Sequence, residues 1–106
     1  MDIYYSTQVN LMFCDANYLC EVRRHEFCTP EHCIMALFKQ DAFVNTLYAN
    51  CSRAVEIQEA IRNMIFDNEK VPESLNLTVS PSANLNRVIS DAAKLASAAG
   101  VQFITV

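Results

Sequence analysis

Fifteen residues near the start of the chain can be written over fifteen near its end without a gap. Asp15-Ala-Asn-Tyr-Leu-Cys-Glu-Val-Arg-Arg-His-Glu-Phe-Cys-Thr lies over Asp91-Ala-Ala-Lys-Leu-Ala-Ser-Ala-Ala-Gly-Val-Gln-Phe-Ile-Thr, at an offset of 91 − 15 = 76. Asp, Ala, Leu, Phe and Thr coincide. A repeat this long suits a duplicated helical bundle rather than a short-period solenoid. The second copy stops at Val106, where its second helix should begin, so the chain reads as part of something longer or as a shortened member of its kind.

Each copy should be helical. One Gly and three Pro among 106 residues leave few places to break a helix. Ala, Leu, Asn, Ser and Glu run through long stretches without strand-like alternation. The expected class is all-α, and an apolar fraction of 52% is enough for the core of one small domain. The net charge of −4 is spread in mixed sign along the chain, which leaves no footprint for nucleic acid or an anionic membrane and points to protein partners. No stretch approaches the ~20 apolar residues of a bilayer span. The start, Met-Asp-Ile-Tyr-Tyr-Ser-Thr, lacks the basic and apolar regions of an export signal. A soluble, cytoplasmic protein is therefore expected. Five cysteines, Cys14, Cys20, Cys28, Cys33 and Cys51, fit no disulfide framework and are expected as reduced thiols.

About five helices can be placed. Thr7 can cap the first, with Val9, Met12, Phe13, Ala16, Leu19 and Cys20 recurring at three and four and basic residues at Arg23 and Arg24 near its end. Thr29-Pro30-Glu31 is a hydroxyl cap, a proline at the first helical position and a carboxylate against the positive end of the dipole, so the second helix runs from about Pro30 to Phe38. Asp41 can cap the third and Ser52 the fourth. Residues 67–80 lose the periodicity and read as a connecting loop. Ser80-Pro81 repeats the cap-plus-proline signal ahead of a fifth helix, and Gly100 sits where a left-handed residue would close it. One repeat thus covers about 6–66 and the start of a second covers 81–106.

Residues 24–33, Arg-His-Glu-Phe-Cys-Thr-Pro-Glu-His-Cys, gather both histidines and two cysteines. Counted from Thr29 as N-cap, Cys28 is N′ and Cys33 is N4, the two positions of a hydrophobic staple. The cysteines therefore behave as small apolar residues. The competing reading is a zinc site of His25, Cys28, His32 and Cys33. Adjacent ligands at 32 and 33 would point about 100° apart on a helix, which makes convergence on one ion the weaker reading. A Cys-His nucleophile would need an orienting third group and an oxyanion hole that nothing here supplies. A phosphate-binding loop is ruled out by the single glycine. Glu56 and Glu59 are most simply solvated on a helix surface.

Arg24-His25-Glu26-Phe27-x-Thr29-x-Glu31-His32, followed by an apolar run ending Ala36-Leu37-Phe38, resembles the "HEF-x-T-x-EH-LLLALL" signature of the Clp N-terminal domain, the Clp repeat, in its ClpA-type form. The similarity runs from about Ser6 to Val106. It implies a pseudo-twofold pair of four-helix repeats that receives substrates and adaptors at the mouth of a hexameric ATP-driven unfoldase, with a ClpS-type adaptor as partner and a Clp peptidase downstream. By the same resemblance Glu26 and Glu31 match the adaptor-facing acidic positions, flanked by Arg24 and His25. Cys33 and Ile34 depart from the family's leucines, and the second repeat lacks its Thr-x-Glu-His helix. Without ATPase modules the chain is expected to be no enzyme by itself and to need no cofactor. A fifth helix short of packing partners is expected to make it self-associate or be marginally stable.

Overall fold

The computed structural model describes residues 4–101 and 103–105, so Gln102 and Val106 of the second repeat lie outside the described residues. Five helices dominate: α1 (Thr7–Arg23), α2 (Pro30–Leu37), α3 (Asp41–Asn50), α4 (Ala54–Phe66) and α5 (Ala83–Ala98). Four two-residue strands accompany them: β1 (Tyr4–Tyr5), β2 (Phe27–Cys28), β3 (Ser80–Pro81) and β4 (Phe103–Ile104). The class is mainly α, with the strands forming two small parallel ladders, β1 with β4 and β2 with β3.

The 76-residue offset maps one ladder onto the other. Tyr4 pairs with Phe103 and Phe27 pairs with Ser80, and 4 + 76 = 80 while 27 + 76 = 103. The hydrogen bonds that follow are duplicated as well. Ser6 N–H donates to the Ile104 carbonyl and Ser82 N–H donates to the Cys28 carbonyl, both at 2.9 Å. Ser6 and Ser82 then cap α1 and α5, accepting from Val9 N–H at 3.3 Å and Leu85 N–H at 3.1 Å. Each copy therefore enters its first helix through a strand, a serine and a cap.

This arrangement corrects two expected caps. Ser6 caps α1 while Thr7 is already helical, because Ser6 keeps the extended backbone that lets its hydroxyl fold back onto the first turn. Ser80-Pro81 is strand β3, and the cap of α5 is Ser82. A proline suits this short strand, since the N–H groups of Ser80 and Ser82 donate to the Glu26 and Cys28 carbonyls and no donor is needed from the residue between them. Two further caps differ. Asp41 is the first residue of α3, with Gln40 as N-cap, and α4 starts at Ala54 behind Arg53 rather than at Ser52. Neither N-cap side chain accepts a backbone N–H of its helix. The Gln40 side chain instead donates to the Gln8 carbonyl at 2.9 Å, tying α3 to the start of α1.

Both first helices end in the same left-handed closure. His25 N–H donates to the Cys20 carbonyl and Arg24 N–H to that of Glu21. Seventy-six residues on, Val101 N–H donates to the Ala96 carbonyl and Gly100 N–H to that of Ser97. This is a Schellman motif twice over. Its left-handed residue is Arg24 (φ 55°) in the first copy and Gly100 (φ 73°) in the second, and 24 + 76 = 100.

The core lies where α2 crosses α1 and the start of α5 closes over them. Ala16, Cys20, Cys28, Cys33, Ala36 and Leu85 are buried together, with Met12, Phe13, Val79 and Ile89 packed against them. Small residues at the crossing let the helices approach closely, and Cys28 and Cys33 occupy the staple positions as apolar residues. Away from this core α5 is open, with Val88 52% and Leu95 72% exposed.

Candidate functional site

The corner between α1 and α2 concentrates the polar chemistry of the molecule. Its first element is Arg24, whose left-handed backbone turns its side chain across the connecting segment. Nε donates to the Val71 carbonyl at 2.9 Å, and Nη2 donates to those of Pro72 and Leu75 at 3.0 and 2.6 Å. Val71 N–H returns a bond to the Arg24 carbonyl at 2.7 Å. A guanidinium has several donors in a fixed fork and suits a row of carbonyls. The segment so held arches over a cavity of about 940 Å³ whose walls include Glu26, Phe27, Thr29, Val71, Leu75 and Thr78. On the α1 side, Arg23 lies over the Phe66 ring, 4.1 Å from its centroid, and joins the end of α1 to the end of α4.

The second element is a chain of hydrogen bonds through both histidines. Thr29 Oγ1 accepts from His32 N–H at 3.4 Å, and Thr29 N–H donates to His32 Nδ1 at 3.1 Å. This is a capping box in which histidine takes the place usually held by Glu or Gln. Since His32 Nδ1 accepts, the neutral ring carries its proton on Nε2, which donates to His25 Nδ1 at 3.0 Å. His25 Nδ1 is then an acceptor, and its own proton sits on Nε2, a buried atom without a hydrogen-bond partner. Thr29 Oγ1 also lies 2.7 Å from His32 Nδ1, so the amide and the hydroxyl of one residue both meet this ring nitrogen. Both rings are almost completely buried, at 1% for His25 and 0% for His32. Burial, then the neighbouring His32 and the cations of Lys70 and Arg23, push His25 below the ordinary imidazole range. Burial likewise pushes His32 down, against smaller opposing effects of Cys28 and Glu31.

The third element is the thiol group beneath the corner. Donation to Cys28 and then burial push the thiols of Cys20 and Cys33 up, and accepting those two donors pulls Cys28 down. All three are at most 5% exposed, so no substrate can reach them and they serve packing. The four candidate ligands do not converge. The facing nitrogens of His25 and His32 share a hydrogen bond, His32 Nδ1 is occupied by Thr29, and among the described residues no group of three His, Cys, Asp or Glu is set to hold a metal ion.

The expected partner-facing residues separate into two kinds. Glu26 is exposed and Glu31 half-buried, one on each side of the exposed Phe27 and the cap. His25 is corrected to an interior residue, because its ring is spent on His32. Arg24 is half-buried and its guanidinium holds the connecting segment. What sequence reasoning missed is that segment's attachment and the role of His32. The signal for the latter was present, as Thr29-x-x-His32 has the spacing of a capping box. Glu56 and Glu59 form exposed i,i+3 ion pairs with Arg53 and Arg62, of the small energetic weight usual at surfaces.

The sequence matches the family described as the Clp repeat (R) N-terminal domain over residues 4–106. The chain belongs to the Clp repeat N-terminal domain family. The matched range begins at β1 and takes in both ladders, so the duplicated entry described above is the Clp repeat's own frame in this chain. No curated protein matches the chain at a significant level. Among the described residues no helix is long and apolar enough to cross a membrane.

Proposed function

We propose that this Clp repeat domain is the substrate- and adaptor-docking module of a ClpA-type, ATP-driven protein unfoldase that feeds a Clp peptidase, and that it is not catalytic by itself. Its docking corner is built on Glu26 and Glu31, with a ClpS-type adaptor as the partner. One observation carries the reading: two carboxylates flank an exposed aromatic, Phe27, 52% exposed, on a corner fixed by the cap and by the Arg24 clasp. An acidic pair on a rigid support steers and aligns a basic partner surface without loss of freedom on binding. The cytoplasm is the compartment this role implies.

The test is titration of a ClpS-type adaptor into wild type and Glu26→Lys/Glu31→Lys. Like-charge opposition at an interface costs several kcal/mol, so affinity should fall roughly a hundredfold or more, and the fall should shrink at high salt. Circular dichroism should show equal helix content, as surface changes usually move stability by less than ~0.5 kcal/mol, with a further fraction lost at Glu31 through the helix dipole. Equal affinity in the two proteins would remove this corner as the docking surface.

A further inference from the structure

The cavity of about 940 Å³ is walled in by the docking corner and by the connecting segment together. Phe27 supplies apolar surface from β2, and Val71, Leu75 and Leu77 supply it from the segment. Phe27 and Leu75 are both more than half exposed, so neither is spent on the core. Arg24 accounts for the space between them. Among the described residues, its carbonyl and guanidinium make the hydrogen bonds that tie residues 69–79 to the rest of the fold, and none runs from those residues to Phe27 or Thr29. A recess of this size, with apolar side chains and placed polar groups in its walls, is the usual form of a binding site.

Charge selects the guest. Residues 21–31 carry Glu21, Glu26 and Glu31 against Arg23 and Arg24, and residues 67–79 carry Asp67, Glu69 and Glu73 against Lys70, which is −1 and −2 of the chain's net −4. Most of the excess negative charge therefore stands on the two stretches that form the walls. Glu26 and Glu69 line the cavity itself, and neither belongs to an ion pair among the described residues. The cations nearby are occupied or outnumbered. Arg24 holds three carbonyls, Arg23 lies over the Phe66 ring, and Lys70 offsets only one of the two lining carboxylates. A guest that joins positive charge to apolar side chains complements such walls, and an anionic one does not.

His25 belongs to the same wall, and its buried Nε2 finds no hydrogen-bond partner within the fold. A polypeptide backbone offers both an N–H and a carbonyl, so it can serve this nitrogen whichever tautomer the ring holds. A purely apolar guest cannot.

We propose that this cavity is the substrate subsite of the domain, and that it takes short basic and apolar stretches of unfolded polypeptide. The inference rests on the substrate-docking reading above, which supplies the polypeptide; the cavity supplies its chemical class. Glu26 and Glu69 meet the basic side chains, while Phe27 and Leu75 meet the apolar ones.

Fluorescence anisotropy on the wild-type chain with a short labelled peptide of Leu and Lys tests the assignment. The dissociation constant should be roughly 10 to 100 μM, in keeping with a small and partly open site. Exchanging Lys for Glu in the peptide, or Leu for Ser, should weaken binding at least about tenfold. Glu69→Lys/Leu75→Ser changes the segment and leaves Glu26 and Glu31 in place. It should weaken the Leu/Lys peptide at least about tenfold but a ClpS-type adaptor by less than about threefold, with unchanged helix content by circular dichroism. A Leu/Glu peptide that binds as well as the Leu/Lys one, or a double variant that binds the Leu/Lys peptide like wild type, overturns the subsite. If the adaptor still binds in that case, the docking corner stands and only the cavity assignment falls. If the peptides behave as expected and the adaptor binds neither protein, the adaptor reading falls and the substrate subsite stands.

Discussion

The two copies of the repeat turn the same backbone corner with different side chains, and the difference separates what the fold needs from what has been added to it. In the second copy Gly100 takes the left-handed position at the end of α5, with nothing within 4 Å of where a side chain would begin. It meets the conformational demand and does nothing more. In the first copy Arg24 adopts the same conformation at a steric cost of about 1 kcal/mol relative to glycine, and its guanidinium makes three bonds to the connecting segment. His25 and Cys28 extend the contrast, standing where the second copy has Val101 and Ile104. The first corner adds side-chain contacts to a closure that the second shows in its bare form.

Exchanging residues between the corners is the way to break this comparison. Arg24→Gly should give the largest effect. Relief of the left-handed strain contributes about 1 kcal/mol, but the loss of three charge-assisted bonds, two of them solvent-exposed, should outweigh it and leave the domain less stable by about 2 kcal/mol. Urea unfolding measures the loss, and limited proteolysis should show faster cleavage within residues 67–79. A variant as stable as wild type would mean that the clasp only accompanies the fold. Gly100→Ala should cost about 1 kcal/mol, read as a lower thermal midpoint, because the strain at φ 73° appears while the added methyl group meets open space. Cys28→Val should cost little, within the ~1.5 kcal/mol ceiling of a near-isosteric core swap, with partner binding kept. Loss of folding together with loss of a bound metal would instead show that Cys28 is a ligand rather than half of a staple.

Much of this is legible from residues alone, for a physical reason. Thr29-Pro30-Glu31 and Gly100 act through local backbone geometry, and their effects appear where the spacing puts them. The staple positions of Cys28 and Cys33 follow from helical register and are buried as expected. The true caps lie one or two positions from Thr7, Asp41, Ser52 and Ser80: at α1 and α5 neighbouring hydroxyls could accept the same bond and Ser6 and Ser82 do so, whereas α3 and α4 start behind Gln40 and Arg53 with no side-chain cap bond. Ser82 is the cap of α5 because β2 holds Ser80-Pro81 in a ladder, a pairing between residues more than fifty apart that no local pattern encodes. For the same reason His25 does not announce itself as interior. Beside Glu26 in an acidic and basic stretch it looks exposed, and only the contact with His32 turns it inward.

The β1–β4 ladder has a consequence in mechanics. Its strands run parallel, so tension drawing residue 4 backwards and residue 104 forwards acts along both strands in opposite directions. That loads the ladder in shear, with its hydrogen bonds and the Ser6 to Ile104 bond strained together rather than opened one by one. Under such a pull the rate of yielding is set by the barrier to unfolding, not by the equilibrium stability. A two-residue clasp in this orientation gives a pulled domain more resistance than its length suggests.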